Sequence, residues 1–224
     1  MTPKGKKSPL KAIRGRKKEK EQLARKPVFH IFCEGSTTEP KYFKALIDEA
    51  REKGKLVKPQ PHNTTYEFQI PEDHKTGCRK LLDSILKAKE KRLEFSLEDH
   101  YWLVFDRDKN TIEHLATVYQ EADANTIKIA FSNPFFEVWI LYHFIRGQKS
   151  SDARVIMDQV KEHLPAYKKN DATLYSELAD KTQTAIDNAK LCHEQATKAE
   201  PTKQDWELAG ISTVYRLVET LLPQ

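Results

Sequence analysis

The stretch VFHIFCEGSTTEPKYFKALIDEA, residues 28–50, decides how the chain folds. Val28–Cys33 is a β-prone run of the length of a buried strand. Glu34-Gly35 ends it, and glycine suits a tight turn there. Ser36, Thr37 and Thr38 can each cap a helix. Thr38 in that role puts Glu39 and Pro40 in the first turn, where proline forfeits no helix bond and a carboxylate complements the dipole. Phe43, Leu46, Ile47 and Ala50 follow at helical spacing. Strand, turn and helix in this order open a βαβ unit.

The same alternation continues outward. Tyr66–Ile70 reads as a short strand, and Leu81, Leu82, Ile85, Leu86 and Leu93 mark one helix face. Tyr101–Phe105 is a buried strand, Ile112, Leu115, Ala116, Tyr119 and Ala122 make an amphipathic helix, and Thr126–Phe131 is a further strand. Strands and helices of these lengths in alternation predict an α/β fold, a mostly parallel sheet with helices on its faces. Asn133–Phe144 is apolar nearly all round and predicts a buried helix entered at Asn133 and Pro134. From 152 to 222 no strand pattern is clear. Val155–Leu164, Leu174–His193 and Ile211–Leu222 read as helices, separated by Pro165 and Pro201. The expected organisation is a disordered basic arm over 1–26, an α/β domain over 27–150 and a helical extension over 151–224 packed on the core.

Charge is distributed unevenly. Residues 1–26 hold eleven Lys/Arg against Glu19 and Glu21, a net of +9, so the rest carries −4 of the total +5. The arm lacks apolar periodicity, apart from a helical end expected near Lys17–Arg25, and such a tail next to a compact body attracts phosphate backbones. Its other reading is a solvated tail that aids solubility. No apolar run approaches the roughly 18–20 residues of a membrane span, and no signal-type apolar core follows the basic N-terminus. The expectation is a cytoplasmic protein. Cys33, Cys78 and Cys192 are odd in number and form no CxxC pair, so they read as free thiols in a reducing compartment. Cys33, next to the Glu34 loop, is either packing or a nucleophile, and packing is the commoner use of a strand cysteine.

Asp106-Arg107-Asp108 follows the Tyr101–Phe105 strand, and ligands of open parallel sheets bind at the carboxyl ends of strands. If the backbone stays extended, Asp106 and Asp108 project to one side and can converge on a hard cation such as Mg²⁺ or Mn²⁺. One aspartate capping the next helix is the plainer alternative. Glu34 also ends a buried strand and would emerge at the same rim. Three carboxylates there repel one another unless a cation or a proton intervenes, an arrangement suited to metal-assisted acid–base chemistry. Glu137 interrupts the apolar 133–144 run, where an unpaired carboxylate costs several kcal/mol, so it faces either an ion-pair partner, a metal or the site. Asn133 either caps the helix or holds a phosphate. Lys168 and Lys169 are either phosphate contacts or a solvated pair, and His143 is a hydrogen-bonded core histidine or a site residue. Arg107 would point away from its two neighbours, into an ion pair.

A strand ending in Glu-Gly and a later strand ending in Asp-x-Asp resemble the Toprim signature of topoisomerases, primases and related nucleases. The longer strings FCEGSTTEPKYF, VFDRDKN and AFSNPFFEVWILYHF resemble the RloB family, Toprim-like proteins linked to bacterial abortive infection and anti-phage defence. The resemblance runs from Val28 to Phe144 and extends to Ala166–Asn170 and Ser212–Tyr215. It implies Glu34 as general acid/base, Asp106 and Asp108 as Mg²⁺ ligands, a nucleic-acid substrate (RNA, a tRNA or DNA) and an ATPase partner of the ABC/SMC type. Glu34 with the two aspartates is the expected metal set, Glu137 an additional catalytic candidate, and Gly35, Asn133, Lys168 and Lys169 the expected substrate contacts. Two alternatives stand beside this nuclease: a non-catalytic nucleic-acid- or protein-binding subunit, and a phosphatase of the haloacid-dehalogenase type using the DxD pair. For the phosphatase, Asn110 stands where Thr or Val belongs and the DxD lies deep in the chain.

Overall fold

The protein is described by a computed structural model over residues 26–59, 65–71, 77–91, 99–147 and 150–223. The basic arm with its expected helical end at Lys17–Arg25, and Leu93, lie outside these residues. The described strands are β1 (Val28–Cys33), β2 (Glu67–Gln69), β3 (His100–Asp106), β4 (Lys128–Asn133) and β5 (Ile211–Ser212). The α-helices are α1 (Thr38–Glu52), α2 (Cys78–Lys91), α3 (Ile112–Ala124), α4 (Glu137–Tyr142), α5 (Ala153–His163), α6 (Leu174–Leu178), α7 (Thr182–Ala199) and α8 (Val214–Leu221).

The strands form one sheet in the order β2-β1-β3-β4-β5, parallel except for β5. Period-two alternation sorts its side chains into two layers. Phe29, Ile31, Cys33, Trp102, Val104 and Ala130 face one hydrophobic cluster, shared with α1 and α4–α8. Phe32, Tyr101, Leu103, Phe105 and Phe131 face the other, closed by α2 and α3. Helices on both faces explain why β1 and the core of β3 are buried throughout and read as continuous apolar runs. Among the described residues no helix is long and apolar enough to cross a membrane.

Three expectations need correction. First, α1 starts at Thr38, so Thr37 is its N-cap, without a side-chain cap bond. Second, Asn133 does not enter the buried helix. It ends β4 opposite Ile211, its side-chain amide donates to the Leu208 carbonyl at 2.6 Å, and α4 begins only at Glu137. Third, the C-terminal region contributes a strand. Ile211–Ser212 pairs antiparallel with β4, and Thr213 extends the contact, its N–H donating to the Phe131 carbonyl at 2.7 Å while its hydroxyl accepts from the Phe131 N–H at 2.9 Å. Two residues are too few to display a period, and only the neighbouring β4 edge selects this conformation.

Candidate active site

Sheet register brings the first two acids together. Cys33 pairs with Val104, so the next residue, Glu34, donates its backbone N–H to the Val104 carbonyl at 2.9 Å and lands beside the end of β3. Its Oε1 accepts from the Gly77 N–H at 2.7 Å, at the start of α2, and its Oε2 accepts from the Asp106 N–H at 3.4 Å. Burial pushes the Glu34 carboxyl above its ordinary pKa, with the Asp108 charge adding, against these two backbone bonds.

Asp106 is the last residue of β3 and faces Ser132 of β4. Its carboxyl is held well above the usual range, first by burial and then by the charges of Glu39, Glu137 and Glu34, while a bond to the Phe136 backbone opposes them. Extended geometry does not persist to Asp108, whose φ of 39° lies in the left-handed region. Asp106 and Asp108 therefore do not project to one side as alternate residues of one extended strand. A turn brings Asp108 to the rim, with its N–H on the Pro134 carbonyl at 3.4 Å. Both aspartates nevertheless line one cleft with Glu34.

This cleft, about 580 Å³, gathers Glu34, Glu39, Asp106, Asp108 and Glu137, with Lys169 at its wall. Glu39 is the residue that sequence reading passed over as a mere first-turn carboxylate. It is only 7% exposed, and burial raises its pKa, with Glu137 and Glu34 adding and Lys169 opposing. Its carboxyl group folds back over Gly35: a Cβ on residue 35 would lie 1.9 Å from Glu39 Oε2. Gly35 is not among the positive-φ residues, so the glycine serves this close approach rather than a special turn. A glycine and a glutamate at the two ends of a strand–helix turn were the available signal.

Glu137, 3% exposed, accepts from the Tyr167 hydroxyl at 3.0 Å, lies 3.5 Å from Lys169 Nζ and lines the cleft, so it has an ion-pair partner and faces the cleft as well. Lys169 also sits over the Phe135 ring at 5.6 Å. The loop carrying these partners, between α5 and α6, is tied across the start of α1. The Asn170 N–H donates to Thr38 Oγ1 at 3.3 Å, Lys41 Nζ donates to the Asn170 carbonyl at 2.8 Å, and the Thr37 and Asn170 side chains are bonded.

The other sequence candidates lie elsewhere. Lys168 is exposed and does not line the cleft, nor does Asn133. Arg107 donates to the Asn110 carbonyl at 3.4 Å, and among the described residues it enters no ion pair. Asn110 is held by Arg107 and by the Cys78 thiol and does not line the cleft. His143 is a core histidine: Nδ1 bonds the Trp139 carbonyl at 3.1 Å, Nε2 meets the Tyr42 hydroxyl at 3.4 Å, and burial lowers its pKa to about 4. Cys33 is buried, and burial pushes its thiol well up, which suits packing and not nucleophilic attack.

Whether these residues fit a cation is answered by their chemistry. Among the described residues, no three His, Cys, Asp or Glu side chains are already gathered as a metal-binding group. The cleft nevertheless offers five carboxylates, the donors that hard cations take, and the pKa values of three of them are raised, first by burial and then by one another's charges. Glu34, Asp106 and Asp108, with Glu39, are the residues that could hold a divalent cation.

Compared with known proteins, the chain matches the family model described as RloB-like protein over residues 29–221. No curated protein and no solved structure gives a match.

Proposed function

This chain belongs to the RloB-like family, and from that premise and its carboxylate cleft we propose that it is a metal-dependent nuclease with a Toprim-type site. The observation that carries the reading is the convergence of Glu34, Asp106 and Asp108 in one cleft at the carboxyl edge of β1 and β3. Mg²⁺ or Mn²⁺ held by Asp106 and Asp108 would supply charge to a phosphate oxygen. Glu34 is positioned by two backbone N–H groups, and burial raises its pKa against them, which suits a residue that exchanges a proton with the reacting oxygen. Lys169, at the wall of the cleft and paired with Glu137, would offer a cation to the phosphate, while Tyr167 orients Glu137. A nucleic-acid substrate, an ABC/SMC-type ATPase partner and a role in anti-phage abortive infection enter this proposal through the family resemblance.

The test is cleavage of labelled DNA and total RNA by the full chain, alone and with its ATPase, in Mg²⁺, Mn²⁺ or EDTA. Metal-dependent cleavage lost in both Glu34→Gln and Asp106→Asn supports the reading. Cleavage that survives both substitutions rejects the site. Intact protein that binds nucleic acid without cutting it under any of these conditions would make it a binding subunit.

A further inference from the structure

A second cleft, of about 650 Å³, opens beside the first and shares Ser36 with it. One wall is a face of α1 bearing Lys41, Lys44, Asp48 and Arg51, and the other is the sheet edge at β2, with Phe68 and Ile70. The α1 positions recur at three- and four-residue spacing, so their side chains stand on one stripe of the helix. All four are exposed. Asp48 is spent on Arg51, at 2.8 Å, and Lys41 keeps two ammonium protons beyond the one given to the Asn170 carbonyl. Among the described residues Lys44 has no ion-pair partner. The net charge of the wall is +2, in a body whose adjacent cleft is acidic.

Flat groups accompany the charges. The Arg51 guanidinium lies 5.8 Å over the half-buried Phe68 ring, which is also in stacked contact with Phe29 at 5.6 Å. In the carboxylate cleft the half-buried Phe135 is paired with Lys169 in the same way. Cations that follow a groove, with aromatic faces inside it, are what a single strand binds, because only unpaired bases offer their faces for stacking. From Lys41 to Arg51 the helix rises about 15 Å, or about four nucleotides at the roughly 3.4 Å spacing of a stacked strand.

We infer that this groove is the track of an unpaired nucleic-acid strand: phosphates lie along Lys41 and Lys44, a base stacks at the Arg51–Phe68 pair, and the strand passes Ser36 into the carboxylate cleft beside Phe135. The inference rests on the nuclease reading and names its substrate class, single-stranded rather than duplex.

The experiment measures binding of the full chain to fluorescent oligonucleotides of about a dozen nucleotides, single-stranded DNA, single-stranded RNA and the matched duplex, by anisotropy in EDTA over a salt series. Lys44→Glu is expected to weaken single-strand binding about tenfold and to flatten its salt dependence. Lys161→Glu, a charge-matched change on α5 outside both clefts, is expected to alter it by less than about twofold. Phe68→Leu, which keeps apolar volume and loses the flat face, should weaken it about tenfold, and its thermal midpoint shows whether the fold is kept. The duplex should bind about tenfold more weakly than either strand. Equal effects of Lys44→Glu and Lys161→Glu, or a duplex bound as tightly as the strand, overturn the track. Groove-dependent binding without metal-dependent cleavage would leave the track standing and remove the nuclease. Cleavage with groove variants that bind like the wild type would do the reverse.

Discussion

Gly35→Ala tests the site more sharply than removing a carboxylate, because it moves one without deleting it. The new Cβ would lie 1.9 Å from Glu39 Oε2 and 2.5 Å from its Cδ, whereas ordinary contact begins at 3.4 Å. The carboxyl group must therefore retreat by about 1.5 Å, the difference between those distances. The backbone has no reason to object, since Gly35 is not among the positive-φ residues. The clash is with the end of a side chain, so its structural cost is a rotamer adjustment of about 0.5–1.5 kcal/mol. Alanine offsets part of this, about 0.4–1 kcal/mol, by restricting the unfolded chain. The thermal midpoint should stay within about 3 °C of the wild type. Cleavage should fall about a hundredfold if the Glu39 carboxyl is needed where it lies, since displacements of about 1 Å in a catalytic constellation cost that much. Glu39→Gln should show a comparable loss, and the double variant should add little to either single one, because both act on the same group. Wild-type activity in Gly35→Ala, or losses that simply multiply in the double variant, would refute this role for the pair. Unfolding of Gly35→Ala would show that the glycine is required by the backbone.

Tyr167→Phe removes the hydroxyl that bonds the buried Glu137 carboxyl at 3.0 Å. It should cost about 1.5–3 kcal/mol in chemical denaturation, and a loss below about 0.5 kcal/mol would mean that Lys169 or solvent serves Glu137 as well. His143 makes stability depend on pH. Its folded-state pKa, lowered by burial to about 4, lies below the unfolded value near 6.5, so its contribution is complete above 6.5 and is lost as pH falls towards 4. Between pH 7 and pH 5 the stability gap between wild type and His143→Gln should narrow by about 2 kcal/mol, at about 1.36 kcal/mol for each pH unit below 6.5. A gap that stays constant in urea titrations would show that His143 takes up its proton without penalty.

Sequence pattern determined what depends on neighbours along the chain. The runs at Val28–Cys33 and Tyr101–Phe105, with helical spacing between them, dictated a mostly parallel α/β sheet, and strands that end in Glu34 and Asp106 dictated that two acids leave the same rim. These follow from backbone periodicity and from the sidedness of parallel strands. Tertiary structure alone decided what depends on contacts across the chain. Ile211–Ser212 became a strand because the edge of β4 needed a partner, and that same pairing drew Asn133 out of the helix entry. A left-handed turn, not continued extension, carried Asp108 to the cleft. Tyr167 and Lys169 reached Glu137 from a loop some thirty residues downstream that α1 holds in place. Glu39 joined the site because Gly35 leaves room for it, a steric vacancy that no periodicity records. Local geometry thus set the rim and its first acids, and long-range packing selected which other side chains face them.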